Sequence, residues 1–97
     1  MLNKKQKVFL RSLAQKERAI FQVGKEGLSD NSIKTISDAL RKRELIKISV
    51  LKNSPSEVKE IALDLASLTK SELIQVIGRQ IVLYKKSKDT KIILPWY

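Results

Sequence analysis

The stretch Ala19-Ile20-Phe21-Gln22-Val23-Gly24-Lys25-Glu26-Gly27-Leu28-Ser29 decides the fold. Its first five residues are apolar apart from Gln22, and Ser29 stands as a helix N-cap ahead of Ile33, Ile36 and Leu40 at helical spacing. The segment therefore reads strand, loop, second helix. Two glycines three apart, Gly24 and Gly27, bracket Lys25 and Glu26. Without a Cβ, a glycine tolerates positive φ and leaves its N–H unobstructed, which suits a tight turn and also a close approach to a ligand. Amides beside a helix N-terminus, with a lysine among them, fit an anionic backbone. A plain strand-to-helix turn has the same pattern, and the motif alone does not separate the two.

Working outward, Leu45-Ile46-Lys47-Ile48-Ser49-Val50-Leu51 alternates and is rich in β-branched residues. It predicts a strand with Ile46, Ile48 and Val50 on one face and a central place in a sheet. Ser54-Pro55-Ser56-Glu57 offers an N-cap, a proline for the first helical position and a capping-box glutamate, which predicts the start of a third helix. Val58, Ile61, Ala62 and Leu65 are its expected buried face. Glu72 to Ile77 and Gln80 to Lys85 are β-rich runs joined by Gly78-Arg79, short enough for an antiparallel hairpin with Arg79 at its tip. Ahead of the loop, Leu2, Phe9, Leu10 and Leu13 gather on one side of a first helix, while Lys4, Lys7 and Arg11 line the other.

The predicted order is α-β-α-β-α-β-β. Connections through the second and third helices are long enough for right-handed parallel crossovers, and the last two strands should be antiparallel. The expectation is a mixed α/β (α+β) fold, a four-stranded mixed sheet with helical cover. No repeat, low-complexity run or linker divides the chain, so residues 1–97 are read as one domain with a basic tail over 85–97.

The chain has 97 residues, with 20 Lys and Arg against 10 Asp and Glu, a net charge of +10. Such an excess favours a polyanionic partner, nucleic acid or an anionic membrane surface. The first 18 residues hold Lys4, Lys5, Lys7, Arg11, Lys16 and Arg18 against the single acid Glu17, half of the net charge. The third helix differs, because Glu57, Glu60 and Asp64 fall in a narrow arc; it should face away from a polyanion. Cysteine and histidine are both absent. The thiol nucleophile, the usual general base and the commonest metal ligand are therefore missing, which argues against an enzyme and against a cofactor. No signal peptide and no apolar run of membrane-spanning length is visible, so a cytoplasmic protein is expected. A monomer without a small-molecule substrate is a separate expectation. A membrane partner is disfavoured, since the basic helix lacks the Trp and bulky apolar face of an interfacial helix.

Candidate contacts follow from charge. Lys4, Lys7 and Arg11 form a stripe that is either a phosphate track or a solvated lysine face. Lys34 and Arg41 share another helix face, and Arg79 is either a contact or a solvated loop charge. The tail, from Lys85 through Lys91 to the apolar Ile92, Ile93, Leu94 and Trp96, reads equally as an RNA-gripping arm or a solvated end, and its apolar residues as docking on the domain or on a partner. One Trp, two Tyr and two Phe leave little material for base stacking, with Phe9 and Phe21 reading as core.

Several ordered motifs resemble one family. They are Lys5-Gln6 with Leu10-Arg11, then Gln22-Val23-Gly24-Lys25-Glu26-Gly27-Leu28, then Ala39-Leu40 before Arg43-Glu44-Leu45-Ile46-Lys47, then Gln75-Val76-Ile77-Gly78-Arg79, and Val82-Leu83-Tyr84. Together they resemble the CRM domain in its stand-alone bacterial YhbY-like form, which includes the YqeI type, over nearly the whole chain. The resemblance implies an RNA-binding domain similar in fold to the C-terminal domain of bacterial translation initiation factor three. It also implies association with ribosomal RNA in precursors of the large subunit, and a role in ribosome assembly. It places Gly24, Lys25 and Gly27 at the RNA, with Lys5 and Arg11 as neighbours. The competing expectation is a protein-interaction module that docks on a ribosomal protein or another acidic partner.

Overall fold

A computed structural model describes residues 4–25, 27–52 and 57–86. The elements are α1 (Lys4–Ala14), β1 (Phe21–Val23), α2 (Asp30–Arg43), β2 (Leu45–Val50), α3 (Val58–Thr69), β3 (Glu72–Ile77) and β4 (Gln80–Tyr84). They follow the predicted order, and the sheet is four-stranded and mixed, in the order β1-β2-β4-β3. β1 pairs parallel to β2, and β4 pairs antiparallel to both β2 and β3. So β1, β2 and β3 run one way and β4 fills the gap between the last two.

Alternation sorts the strands onto two faces. Ile46, Ile48 and Val50 of β2, Ile81 and Leu83 of β4, and Val23 of β1 point to one face, where Ile36 and Leu40 of α2 and Ile61, Ala62 and Leu65 of α3 close the main core. Each large aliphatic side chain buried there contributes roughly 1.5–3 kcal/mol. On the other face a smaller cluster forms between Leu10 and Ala14 of α1 and Leu45, Ile74, Val82 and Tyr84. Leu10 and Ala14 are one turn apart, so α1 meets the sheet along a narrow stripe. Phe9 and Phe21, both read as core, are half-buried, and Phe21 packs against the main core.

Local signals explain the helix ends. The Ser29 hydroxyl accepts from the Ser32 N–H at 3.1 Å and caps α2. Asp30 in the first turn and Arg41, Lys42 and Arg43 in the last complement the helix dipole. Glu44 ends α2 at φ 63° and β2 begins at the next residue, so a single positive-φ residue makes the reversal. The Glu44 side chain is fully buried. Burial pushes the nearby Tyr84 phenol above its ordinary pKa, and the Glu44 charge adds to the effect.

Two element starts and one register differ from expectation. β1 starts at Phe21 rather than Ala19, because only Phe21–Val23 lie opposite Ile48–Val50, although the Ile20 N–H still donates to the Lys47 carbonyl at 2.9 Å. α3 starts at Val58 with Glu57 at its N-cap, not at Ser54. Glu57 is extended at φ −68° and ψ 153°, which halts the helix there, and its side chain makes no cap hydrogen bond. A register shift between Leu73 and Gln75 is absent from any alternation reading. Leu2, Glu26, the Ser54-Pro55-Ser56 cap and the tail from Ser87 lie outside the described residues.

Candidate nucleic-acid interface

The shared direction of β1, β2 and β3 brings three connections to one end of the sheet. β1 runs into the Gly24–Gly27 turn, β2 into Leu51 and Lys52, and β3 into Gly78-Arg79. Backbone bonds tie these exits together. The Leu51 N–H donates to the Val23 carbonyl at 2.8 Å, and the Val50 N–H donates to the Arg79 carbonyl at 2.7 Å. In open α/β sheets, the carboxyl ends of parallel strands are where ligands bind, because loops from neighbouring strands converge there.

The turn is held at both sides. Val23 before it is buried in the main core and Leu28 after it packs against that core. The Gly27 N–H donates to the Gly24 carbonyl at 3.0 Å and closes the turn. Only one of the two glycines needs its freedom here, since Gly27 has φ 68° whereas Gly24 does not enter positive φ. This corrects the expectation that both glycine amides are ready donors: the Gly27 N–H is engaged within the turn, and the residue's part is conformational. Lys25 projects from the turn and is exposed. At the hairpin, Gly78 has φ 56° and Arg79 does not, the sign pattern of a type II′ turn, and Arg79 is exposed at the tip as predicted.

The ten predicted contact residues divide into three surfaces. Gly24, Lys25, Gly27 and Arg79 meet on this rim. Lys4, Lys5, Lys7 and Arg11 lie on α1, whose buried stripe sits over the Leu45 and Tyr84 end of the opposite face. Lys4, Lys5 and Arg11 are exposed and Lys7 is half-buried. Lys34 and Arg41 lie on α2, on the other side of the sheet from α1, and Arg41 forms an ion pair with Asp38. Of those two, Lys34 is nearer the rim, because α2 starts from the loop. One strand of polyanion cannot run along both α1 and α2 without crossing the domain. The acidic Glu57, Glu60 and Asp64 are exposed on α3, beside α2 and across the sheet from α1.

Sequence reasoning missed Lys52, which is exposed at the exit of β2. Its signal was available, since parallel β1 and β2 must end on the same side. Among the described residues, no group of three or more Asp or Glu could hold a metal ion, and no helix is long and apolar enough to cross a membrane.

Comparisons with known proteins agree with this architecture. Residues 2–85 match the CRS1 / YhbY (CRM) domain family. The chain is 53% identical over 91 residues to "Probable RNA-binding protein YqeI" of Bacillus subtilis, covering 94% of this chain and 95% of the relative. It is 36% identical over 95 residues to a Haemophilus influenzae protein named "RNA-binding protein", covering 97% and 95% of the two chains. The solution structure of a hypothetical protein from Staphylococcus aureus superposes with a TM-score of 0.82 at 52% identity, over 98% of this chain and 100% of that one.

Proposed function

The chain belongs to the CRS1 / YhbY (CRM) domain family, and on that premise we propose that it binds RNA through the rim at the carboxyl ends of β1, β2 and β3. One observation carries the reading: Lys25, Lys52 and Arg79, from three separate connections, are exposed around a glycine turn anchored to the core on both sides. A fixed turn with cations around it suits a phosphate backbone, because little ordering remains to oppose binding. The names carried by the relatives favour RNA as the polyanion.

The further reading is that the RNA belongs to large-subunit ribosomal precursors and that the protein assists their assembly in the cytoplasm, as a monomer and without catalysing a reaction. The family resemblance supports that choice. Mechanistically, Gly27 shapes the turn, Lys25 and Arg79 neutralise phosphates, and Lys4, Lys7 and Arg11 on α1 extend the attraction to a second contact. With few aromatic side chains for stacking, shape and backbone dominate over sequence.

A salt titration tests this, with unpaired ribosomal RNA and duplex DNA as probes and Lys25→Ala/Arg79→Ala beside the wild type. Neutralising roughly four to six phosphates on single-stranded RNA predicts a slope of log affinity against log salt of about −3 to −4, and the double variant should flatten it by about 1.4. A salt-insensitive complex, or equal binding to both polymers that the variant leaves unchanged, would sink the reading. A partner retained after RNase treatment would point to a protein interface instead.

A further inference from the structure

Just inside the rim, one row of side chains crosses all four strands. The registers align Gln22 with Ser49, Ser49 with Gln80, and Gln80 with Ile77. Residues directly opposite in a sheet share a face, so these four belong to one face. It is the α1 face, since Val82, two pairs further along the same ladder, and Leu45 and Tyr84, four pairs along, lie in the α1 cluster. That cluster takes Leu45, Ile74, Val82 and Tyr84 and does not include the row. Gln22 and Gln80 are exposed, Ser49 is half-buried, and Ile77 is 56% exposed. At strand spacings of about 4.8 Å the row is roughly 14 Å long.

Its position is as telling as its composition. Gln22 is two residues from Gly24, Ser49 precedes the Val50 that bonds to Arg79, and Gln80 and Ile77 flank Gly78-Arg79. A phosphate held on the rim therefore leaves its ribose and base within reach of the row. The chemistry of the two lines differs in kind. The rim is cationic, whereas the row is neutral, with two carboxamides and a hydroxyl that each donate and accept. Such groups add no charge attraction to phosphate but match base edges, where a glutamine can pair with adenine in two bonds, and the 2′-hydroxyl, which also donates and accepts. Ile77 closes the row with an apolar surface against which a base face can lie. One row further from the rim on the same face, Val82 enters the α1 cluster between Lys47 and Gln75, whereas none of this row does.

We propose that the row Gln22, Ser49, Gln80 and Ile77 is a base- and ribose-contacting shelf for unpaired RNA, which sets a preference for RNA over DNA while the rim supplies the salt-dependent affinity. The shelf rests on the RNA-binding reading above and deepens it, because it assigns discrimination to residues that carry no charge.

The test compares the wild type, Gln22→Ala/Gln80→Ala, and Lys25→Ala/Arg79→Ala on an unpaired mixed-sequence RNA and on the same sequence as DNA, at several salt concentrations. Thermal melts of all three proteins first show that they remain folded. The glutamine variant is expected to lose about tenfold in RNA affinity, the size of two ordinary polar contacts, with its RNA-over-DNA preference shrinking towards one and its salt slope unchanged. The rim variant should show the opposite pattern, with a flatter slope and a retained preference. Wild-type affinity and preference in the glutamine variant, alongside a flattened slope in the rim variant, would overturn the shelf and leave the rim standing. Absence of RNA binding by the wild type would overturn both.

Discussion

The two faces of the sheet are made by alternate residues of the same strands, yet they carry different chemistry. On one face Ile46, Ile48, Val50, Ile81 and Leu83 form an unbroken apolar surface under α2 and α3. On the other, apolar residues occur at Leu45, Ile74, Val82 and Tyr84 beneath α1, and the row nearest the rim turns to Gln22, Ser49 and Gln80. Two helices cover the first face, and the 11 residues of α1 cover part of the second. Apolar character thus follows helical cover, and what is left uncovered and polar is free to meet a ligand.

The sharpest way to break this comparison is to substitute neighbours in β2 that point to opposite faces. Ile48→Ala should destabilise the fold by about 2–5 kcal/mol through lost burial and a residual cavity, whereas Ser49→Ala should change it by less than about 1 kcal/mol. Denaturant unfolding of the two variants decides the matter, and equal losses would show that the second face is as structural as the first.

A smaller effect is expected at the rim, where backbone conformation rather than packing sets the shape. A Cβ at Gly78 would meet nothing within 4 Å, but φ there is +56°. Gly78→Ala should therefore lower stability by about 1 kcal/mol from backbone strain alone. A loss as large as that of Ile48→Ala would mean that the hairpin tip is packed after all.

The smallest change at neutral pH concerns the covered end of the second face. Tyr84→Phe removes one hydroxyl from the α1 cluster and should alter stability by under about 1 kcal/mol at pH 7. Its signature is alkaline. Burial, with Glu44 nearby, raises the folded phenol above its ordinary value of 10.0. The folded state then holds the proton more tightly than the unfolded chain. This contribution is complete below pH 10 and is lost as pH climbs through the raised value. Stability against pH should fall more steeply for the wild type than for Tyr84→Phe above pH 10, and parallel curves would contradict the burial of this group.

Much of the fold was legible because its signals are local. Ile46, Ile48 and Val50 announce a buried strand face by period two, Ser29 announces a helix start, and Gly78-Arg79 announces a hairpin. The α3 start misleads for a related reason: Ser54, Pro55 and Glu57 have the right spacing for a capping box, but the extended backbone at Glu57 makes Val58 the first helical residue, three beyond Pro55. Of the candidate site, the loop and Arg79 could be singled out from residue type. Their convergence with Lys52 could not, nor could the separation of Lys4, Lys7 and Arg11 from Lys34 and Arg41 by the thickness of the sheet.

The sequence alone determined the element order, the apolar face of β2, the turn residues and a charge balance of +10 that favours a polyanion. Those properties depend on neighbours a few positions apart or on simple sums. Only the tertiary structure decided that β4 lies between β2 and β3, that three strands end at one rim, and that Gln22, Ser49, Gln80 and Ile77 form one row. Strand neighbourhood is a long-range choice made by which apolar surfaces bury each other, and no local spacing encodes it.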